Sequence, residues 1–333
     1  MTSPVLAIEH LHVELPVRAE MRTVLHDVSL SIGPSEALGL VGESGSGKSM
    51  TARSIMRLLQ PGASTSGAIL FEGVDVLSME HDALLAFRRK GVAMIYQDPR
   101  AHINPVRTIG DFLTEGILLD GRVSAAEARA KVISLLDEVG IPDAKRRLRQ
   151  YPHQLSGGLL QRVMIAAALS EEPRLLLADE PTTALDVTTQ EEVMAILDEL
   201  RVERSLAMLF ITHDLDLAAA VTDRVAAMYA GVIIEVGDAA SLHADSLHPY
   251  TVGLLNSRPE FGARTRARPI PGRPILASEA PPGCVFAERC PYVTELCRAE
   301  RPTLREVDGR LVACHRAEEL RGTISYAGAG GPR

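Results

Sequence analysis

Apolar runs of strand length recur along the chain, separated by stretches of helical spacing. Residues 37–41, 92–96, 174–180 and 206–211 are rich in Leu, Val, Ile and Ala without alternation, as expected of strands covered on both faces. Between them, residues 49–60 place Ile55, Leu58 and Leu59 at helical spacing, residues 159–170 form a helical run, and residues 191–203 put Val193, Ile196, Leu197 and Leu200 on one face. From about 109 to 150 the pattern is helical. It is best over 125–139, where Ala128, Val132, Leu135, Leu136 and Val139 recur behind a Ser124/Glu127 pair with the spacing of a capping box. The opening differs: residues 5–9, 11–15 and 28–32 partly alternate, and 67–71 reads as another short strand. Apolar strands alternating with helices predict an α/β fold with a parallel centre. An antiparallel piece precedes that centre and a largely helical insert, at about 109–150, interrupts it.

The strand at 37–41 runs into Gly42, Glu43, Ser44, Gly45, Ser46, Gly47, Lys48 and Ser49, the spacing G-x-x-x-x-G-K-[ST], with Met50 next on the following helix. Strand, glycine turn and helix in that order aim several backbone N–H groups and a positive helix end at one anion. In such a loop Lys48 reaches the β- and γ-phosphates of a nucleotide and the Ser49 hydroxyl holds Mg²⁺. Other strand ends carry matching groups. Asp179 suits a residue that orients Mg²⁺, Glu180 a general base for the attacking water, and Gln97 and His213 contacts to the γ-phosphate or its water. Ser156, Gly157 and Gly158, followed by a helix, form a second anion cradle without a lysine, suited to a nucleotide held by another subunit.

Composition narrows the function. The 333 residues carry 43 acidic and 35 basic side chains, a net charge of −8, with 4% aromatics and no Trp. That balance argues against a general nucleic-acid binder or a base-stacking platform. Residues 1–10 lack a basic region followed by an apolar core, so no secretion signal is expected, and the longest uncharged apolar run, near 225–234, is about half a membrane span.

Beyond residue 256 the character changes. Residues 257–283 hold six Pro, three Gly and five Arg without periodicity and read as a linker. Cys284, Cys290, Cys297 and Cys314 follow at C-x5-C-x6-C-x16-C spacing. In a reducing compartment, four thiols on a small segment expected to lack its own core suit a metal centre better than two disulfides, with four-thiolate zinc or free thiols as alternatives. His315 is a possible substitute ligand.

Residues 155–162 resemble the signature motif of ABC (ATP-binding cassette) ATPases. The phosphate loop, Gln97, the Asp179–Glu180 strand end, the Ala184–Asp186 loop and His213 stand in that family's order over about residues 5–240. Gln97-Asp98-Pro99 with Asn104-Pro105, His248-Pro249-Tyr250-Thr251, and Gly283-Cys284 with Arg289-Cys290-Pro291 resemble the ATPase subunits of oligopeptide/dipeptide importers. The resemblance implies a P-loop cassette over 1–256, with a mixed sheet core, an antiparallel subdomain and a helical subdomain at about 98–165. It makes 257–333 a linker and a small cysteine-containing extension. It implies a peripheral ATPase on the cytoplasmic face of a membrane, powering peptide import, with nickel or another small solute, or a soluble ABC role on ribosome or DNA, as alternatives. The implied ligands are ATP, Mg²⁺ held by Ser49, Gln97 and Asp179, and a [4Fe–4S] cluster on the four cysteines. The implied partners are a second cassette, identical or homologous, two transmembrane permeases and an extracytoplasmic peptide-binding protein. Ser156, Gly157 and Gly158 would complete the partner cassette's ATP site. Two positions depart from the family pattern. No aromatic residue precedes Phe71, so Leu15 stands where the family places a ring beneath adenine, and Leu159-Leu160 replace commonly polar residues.

Overall fold

A computed structural model describes residues 3–18, 20–119, 121–183, 185–257 and 268–324. Residues 258–267 of the expected 257–283 linker and Ala184 of the 184–186 loop therefore lie outside the described residues. The chain divides into two compact units. The loop unit comprises Leu6–Ile32, Ala37–Leu77 and Phe210–Arg333; the helical unit comprises Met1–Val5, Gly33–Glu36 and Ser78–Leu209.

The loop unit opens with β1 (Leu6–Val17) and β2 (Glu20–Ile32), then β3 (Ala37–Val41), α1 (Lys48–Ile55), β4 (Ser64–Phe71) and β5 (Val74–Asp75). One antiparallel sheet runs β2-β1-β4-β5. The two segments at 5–9 and 11–15 are one strand. Register shifts between Ile8 and Leu11 and again up to Glu14 break the alternation that would have marked it as continuous. The α1 helix stops at Ile55, short of the expected residue 60, because Met56 caps it and Arg57 turns left-handed at φ +50°.

The helical unit follows with α2 (His81–Ala86), β6 (Val92–Ile95), α3 (Ile109–Leu119), α4 (Ala125–Glu138), α5 (Ala144–Arg147), α6 (Gly157–Leu169), β7 (Leu175–Asp179) and α7 (Val187–Glu203). β8 (Ala207–Thr212) begins here and continues into the loop unit. β6 and β7 pair in parallel. Every residue of β7 and β8 is buried, which accounts for their unbroken apolar character. The expected helical stretch at 109–150 is three helices. α4 begins at the anticipated capping box and ends where Gly140, at φ +68°, lets Ile141 N–H reach back to Leu136 O at 2.8 Å.

The chain then completes the loop unit with α8 (Leu215–Val221), β9 (Arg224–Tyr229), β10 (Val232–Asp238), α9 (Ala239–Ala244), α10 (Pro249–Asn256), α11 (Glu295–Ala299), β11 (Arg305–Val307), β12 (Arg310–Val312) and α12 (Ala317–Leu320). β9 is parallel to β3 and antiparallel to β10, and β12 and β11 extend that edge antiparallel. The cysteine-bearing segment is not coreless, contrary to the expectation from its composition. Cys284, Val285, Phe286, Ala287 and Cys297 share one buried cluster with Val41, Tyr229, Ile234, Tyr250 and Leu255. No described helix is long and apolar enough to cross a membrane.

Candidate functional site

In the loop unit, β3 delivers the chain into residues 42–49 and α1 starts at Lys48. Two glycines are required by their surroundings. A Cβ on Gly42 would sit 2.2 Å from the Met228 carbonyl oxygen, and Gly47, at φ +110°, would bring a Cβ to 2.9 Å from Leu25 Cδ2. The loop is braced from outside its mouth. Gly231 N–H donates to Ser46 O at 2.7 Å, Ala277 N–H to Gly45 O at 3.2 Å, and Glu43 N–H to the Tyr250 hydroxyl oxygen at 2.8 Å. Lys48 Nζ donates to the carbonyls of Gly42 (2.7 Å) and Glu43 (3.1 Å), so a buried ammonium lies across the loop. Among the described residues, the buried Ser46 hydroxyl is one of the side-chain groups with no hydrogen-bond partner. A glycine cradle, a helix start, a buried ammonium and an orphaned hydroxyl together form a donor set that fits a polyphosphate. Ser49 and Met50 lie in the first turn of α1. His213 is exposed just past β8, beside Asp214, whose carboxylate caps α8 by accepting from Leu217 N–H at 2.7 Å.

The helical unit gathers a second set. Asp179 is the buried last residue of β7, and Glu180 follows it in a left-handed conformation, φ +46°, rare for a side chain with a Cβ. Glu180 Oε2 accepts from Gln97 Nε2 at 3.1 Å and from the Thr183 hydroxyl at 2.8 Å. Thr183 and the strained Glu180 backbone were not anticipated; neither leaves a mark in hydrophobic spacing.

Ser156 caps α6, its Oγ accepting from Leu159 N–H at 3.4 Å. Asp186 caps α7 in the same way and also accepts from the Thr189 hydroxyl at 2.8 Å; these bonds hold its carboxyl below the usual carboxylate range. Both caps open on one cavity of about 430 Å³, lined by Ser156, Gly157, Gly158, Arg162, Leu185 and Asp186 among others. Gly158 has no space for a side chain, since a Cβ would lie 2.4 Å from Thr189 Cγ2. Arg162 ties this corner together, pairing with Glu192 at 2.7 Å and donating to the carbonyls of Val139 and Gly140.

Cys284, Cys290, Cys297 and Cys314 all line one small cavity of about 20 Å³, and none is in a disulfide. Burial pushes the Cys284 thiol up to about 12 and that of Cys314 to about 11, and raises Cys290, the neighbouring thiols adding to each. His315 Nε2 is engaged with the Glu300 carbonyl at 3.0 Å. Among the described residues, no three His, Cys, Asp or Glu side chains are spaced to hold a single metal ion. The shared cavity is therefore what the geometry contributes to a metal reading, and the zinc alternative gains nothing further.

Residues 25–183 match the family model described as ABC transporter, and residues 234–297 the model described as oligopeptide/dipeptide transporter, C-terminal region. The oligopeptide transport ATP-binding protein OppD of Escherichia coli K12 is 43% identical over 300 residues, covering 90% of this chain and 89% of that protein. A putative peptide import ATP-binding protein of Brucella ovis is 42% identical over 319 residues, covering 92% and 94%. Among solved structures, the dimeric form of MJ0796, a bacterial ABC transporter cassette, aligns with a TM-score of 0.63 at 27% identity, over 70% of this chain and 98% of that one. A post-hydrolysis state of the same cassette, bound to ADP and Pi, aligns equally well. Similarity to cbiO1 of Clostridium perfringens, part of a cbiONQ transporter complex, has a TM-score of 0.62 at 26% identity, over 72% of this chain and 90% of that one.

Proposed function

The chain belongs to the ABC transporter family, in the branch of peptide-import ATP-binding proteins, and is an ATPase; we propose that it drives uptake of oligopeptides or dipeptides from the cytoplasmic face of a membrane. The observation that carries this is the conjunction of the glycine loop at residues 42–49, the Gln97–Glu180 pair at the ends of β6 and β7, and a C-terminal extension matching the oligopeptide/dipeptide transporter region. The partners in this reading are a second cassette, two permeases and an extracytoplasmic peptide-binding protein.

The roles follow from donor chemistry. The backbone N–H groups from Ser44 to Ser49, with Met50 behind them, receive the phosphates, the Glu43 N–H being held by Tyr250, and Lys48 carries positive charge to the β- and γ-oxygens. Ser49, Gln97 and Asp179 are the residues that would hold Mg²⁺, which when bound neutralises charge developing on the phosphates. Glu180 takes a proton from the attacking water while Gln97 and His213 orient that water and the γ-phosphate. Ser156, Gly157 and Gly158 offer a helix N-terminus and small residues to the ATP of the partner cassette, so each hydrolytic centre is split between two chains. The second reading for the tail is a [4Fe–4S] cluster on Cys284, Cys290, Cys297 and Cys314. It is supported by their convergence on one cavity and by the advantage thiolates gain from a bound metal when burial otherwise keeps them protonated.

Sealed vesicles carrying the two permeases, this chain and its partner cassette, with the peptide-binding protein outside, should accumulate labelled di- to pentapeptides only when ATP is inside. Ser156→Arg should abolish uptake while leaving ATP binding by the isolated chain intact. Uptake independent of ATP, or unaffected by Ser156→Arg, would overturn the split-centre reading. Iron and acid-labile sulfide in the anaerobically purified protein, with visible absorbance lost in Cys290→Ser, would support the cluster; colourless, iron-free protein would end it.

A further inference from the structure

Glu43 is the second residue of the phosphate loop, an unexpected place for a carboxylate, since a negative charge beside bound phosphates opposes their binding. Its side chain is committed elsewhere. Both oxygens meet the guanidinium of Arg289, Nη1 to Oε2 at 2.5 Å and Nη2 to Oε1 at 3.1 Å, in the fork-to-fork geometry that fixes orientation as well as distance. Arg289 is 246 residues away in sequence and its side chain is 3% exposed. The remaining donors are occupied too: Nε reaches Pro271 O at 2.9 Å, Nη2 reaches Ile270 O at 3.3 Å, and Nη1 reaches the Tyr229 hydroxyl at 3.3 Å. The guanidinium also lies 5.7 Å from the centre of the Tyr229 ring and 5.9 Å from that of Phe286. It is thus a rigid anchor, one residue before Cys290, and it holds the loop where Tyr250 and Ala277 hold the neighbouring backbone.

We propose that Arg289 is a positioning residue for the nucleotide: by clamping Glu43 it sets the shape of the phosphate loop and cancels its charge, so that the C-terminal extension forms part of the ATP site. The inference rests on the assignment of residues 42–49 as the phosphate loop. A glycine-rich loop has much freedom to lose when its N–H groups converge on a ligand. Fixing Glu43 beforehand removes part of that cost and leaves no unpaired carboxylate to repel the phosphates.

The test is calorimetric titration of the full-length protein with MgATP, using wild type, Arg289→Lys, Glu43→Gln and the double variant. Each single change should weaken ATP binding about tenfold, with the loss falling on KM for ATP rather than on kcat. The double variant should also be weakened about tenfold, because both changes break one interaction. Losses that multiply to about a hundredfold would overturn the clamp. Unchanged ATP affinity in variants whose nucleotide-free melting temperature has dropped would overturn it as well, by making Arg289 a structural residue only. Should Arg289→Lys not fold, Glu43→Gln alone decides, since it leaves the Arg289 packing in place. Wild type that bound no ATP would refute the loop assignment itself, an outcome separate from any difference among the variants.

Discussion

Gln97 Nε2 donates to Glu180 Oε2 at 3.1 Å, joining the residues that follow two parallel strands, β6 and β7. The Thr183 hydroxyl donates to the same oxygen at 2.8 Å. Two donors on one carboxylate oxygen fix the orientation of the group, and an oriented carboxylate suits a base for water. Glu180→Gln keeps the shape and can still meet one of these donors. Hydrolysis should fall by about 10²–10⁴-fold while ATP binding persists, as read by phosphate release and by retained nucleotide. Hydrolysis at the wild-type rate would remove Glu180 from the base role.

The Gln97–Glu180 contact was foreseeable in outline, because apolar strands ending in polar residues can be read from a chain, and parallel strands bring their carboxyl ends together. The phosphate loop was legible for the same reason, its spacing being dictated by backbone geometry. The capping box at Ser124 and Glu127 is a local hydrogen-bond pattern and formed as expected. What stayed hidden is non-local or depends on backbone dihedrals. The Arg289–Glu43 pair spans 246 residues, and nothing in the composition of the tail announced that Phe286 and Cys284 pack beside Tyr229 and Tyr250. The continuity of β1 was masked by its bulges, and the left-handed turn at Arg57 that ends α1 carries no glycine to signal it.

Gly42 should tolerate no side chain. The atom that a Cβ would strike at 2.2 Å is the Met228 carbonyl oxygen in β9, a backbone atom in a paired strand that cannot rotate aside. Forcing the two apart costs about 1–3 kcal/mol, and the displaced loop loses the convergence of its N–H groups. Gly42→Ala should therefore weaken ATP binding about tenfold or more, measured by equilibrium titration. Unaltered affinity would show that the loop can shift bodily without losing its ligand geometry.

Gly158 presents a different obstacle, and its relief can be designed. A Cβ there would meet Thr189 Cγ2 at 2.4 Å, and Thr189 is not free to turn because its hydroxyl donates to Asp186 Oδ2 at 2.8 Å. Gly158→Ala should push the N-termini of α6 and α7 apart and lower ATP turnover of the assembled transporter by about tenfold. Adding Thr189→Ser removes the colliding methyl but keeps the hydroxyl, so turnover should recover to within a few-fold of wild type. If the serine gave no recovery, contact with Thr189 would not be the reason this position is glycine.

Glu235 supplies a pH test separate from catalysis. It is fully buried in β10, where its carboxylate accepts from Leu247 N–H at 2.7 Å and His248 N–H at 3.1 Å, with Arg310 the cation acting on it. Burial outweighs these contacts and raises its pKa above the ordinary 4.5. The folded state therefore holds this proton more tightly than the unfolded chain. The group's contribution to stability is fully present below about pH 4.5 and is lost as pH rises through the folded value, at up to about 1.4 kcal/mol per pH unit. Glu235→Gln has no proton to lose. It gives up one of two acceptors, a penalty independent of pH, so the melting temperature of the variant minus that of wild type should become more positive as pH rises from 4.5. A difference that stayed constant over that range would mean that Glu235 ionises equally easily in the folded and unfolded chain.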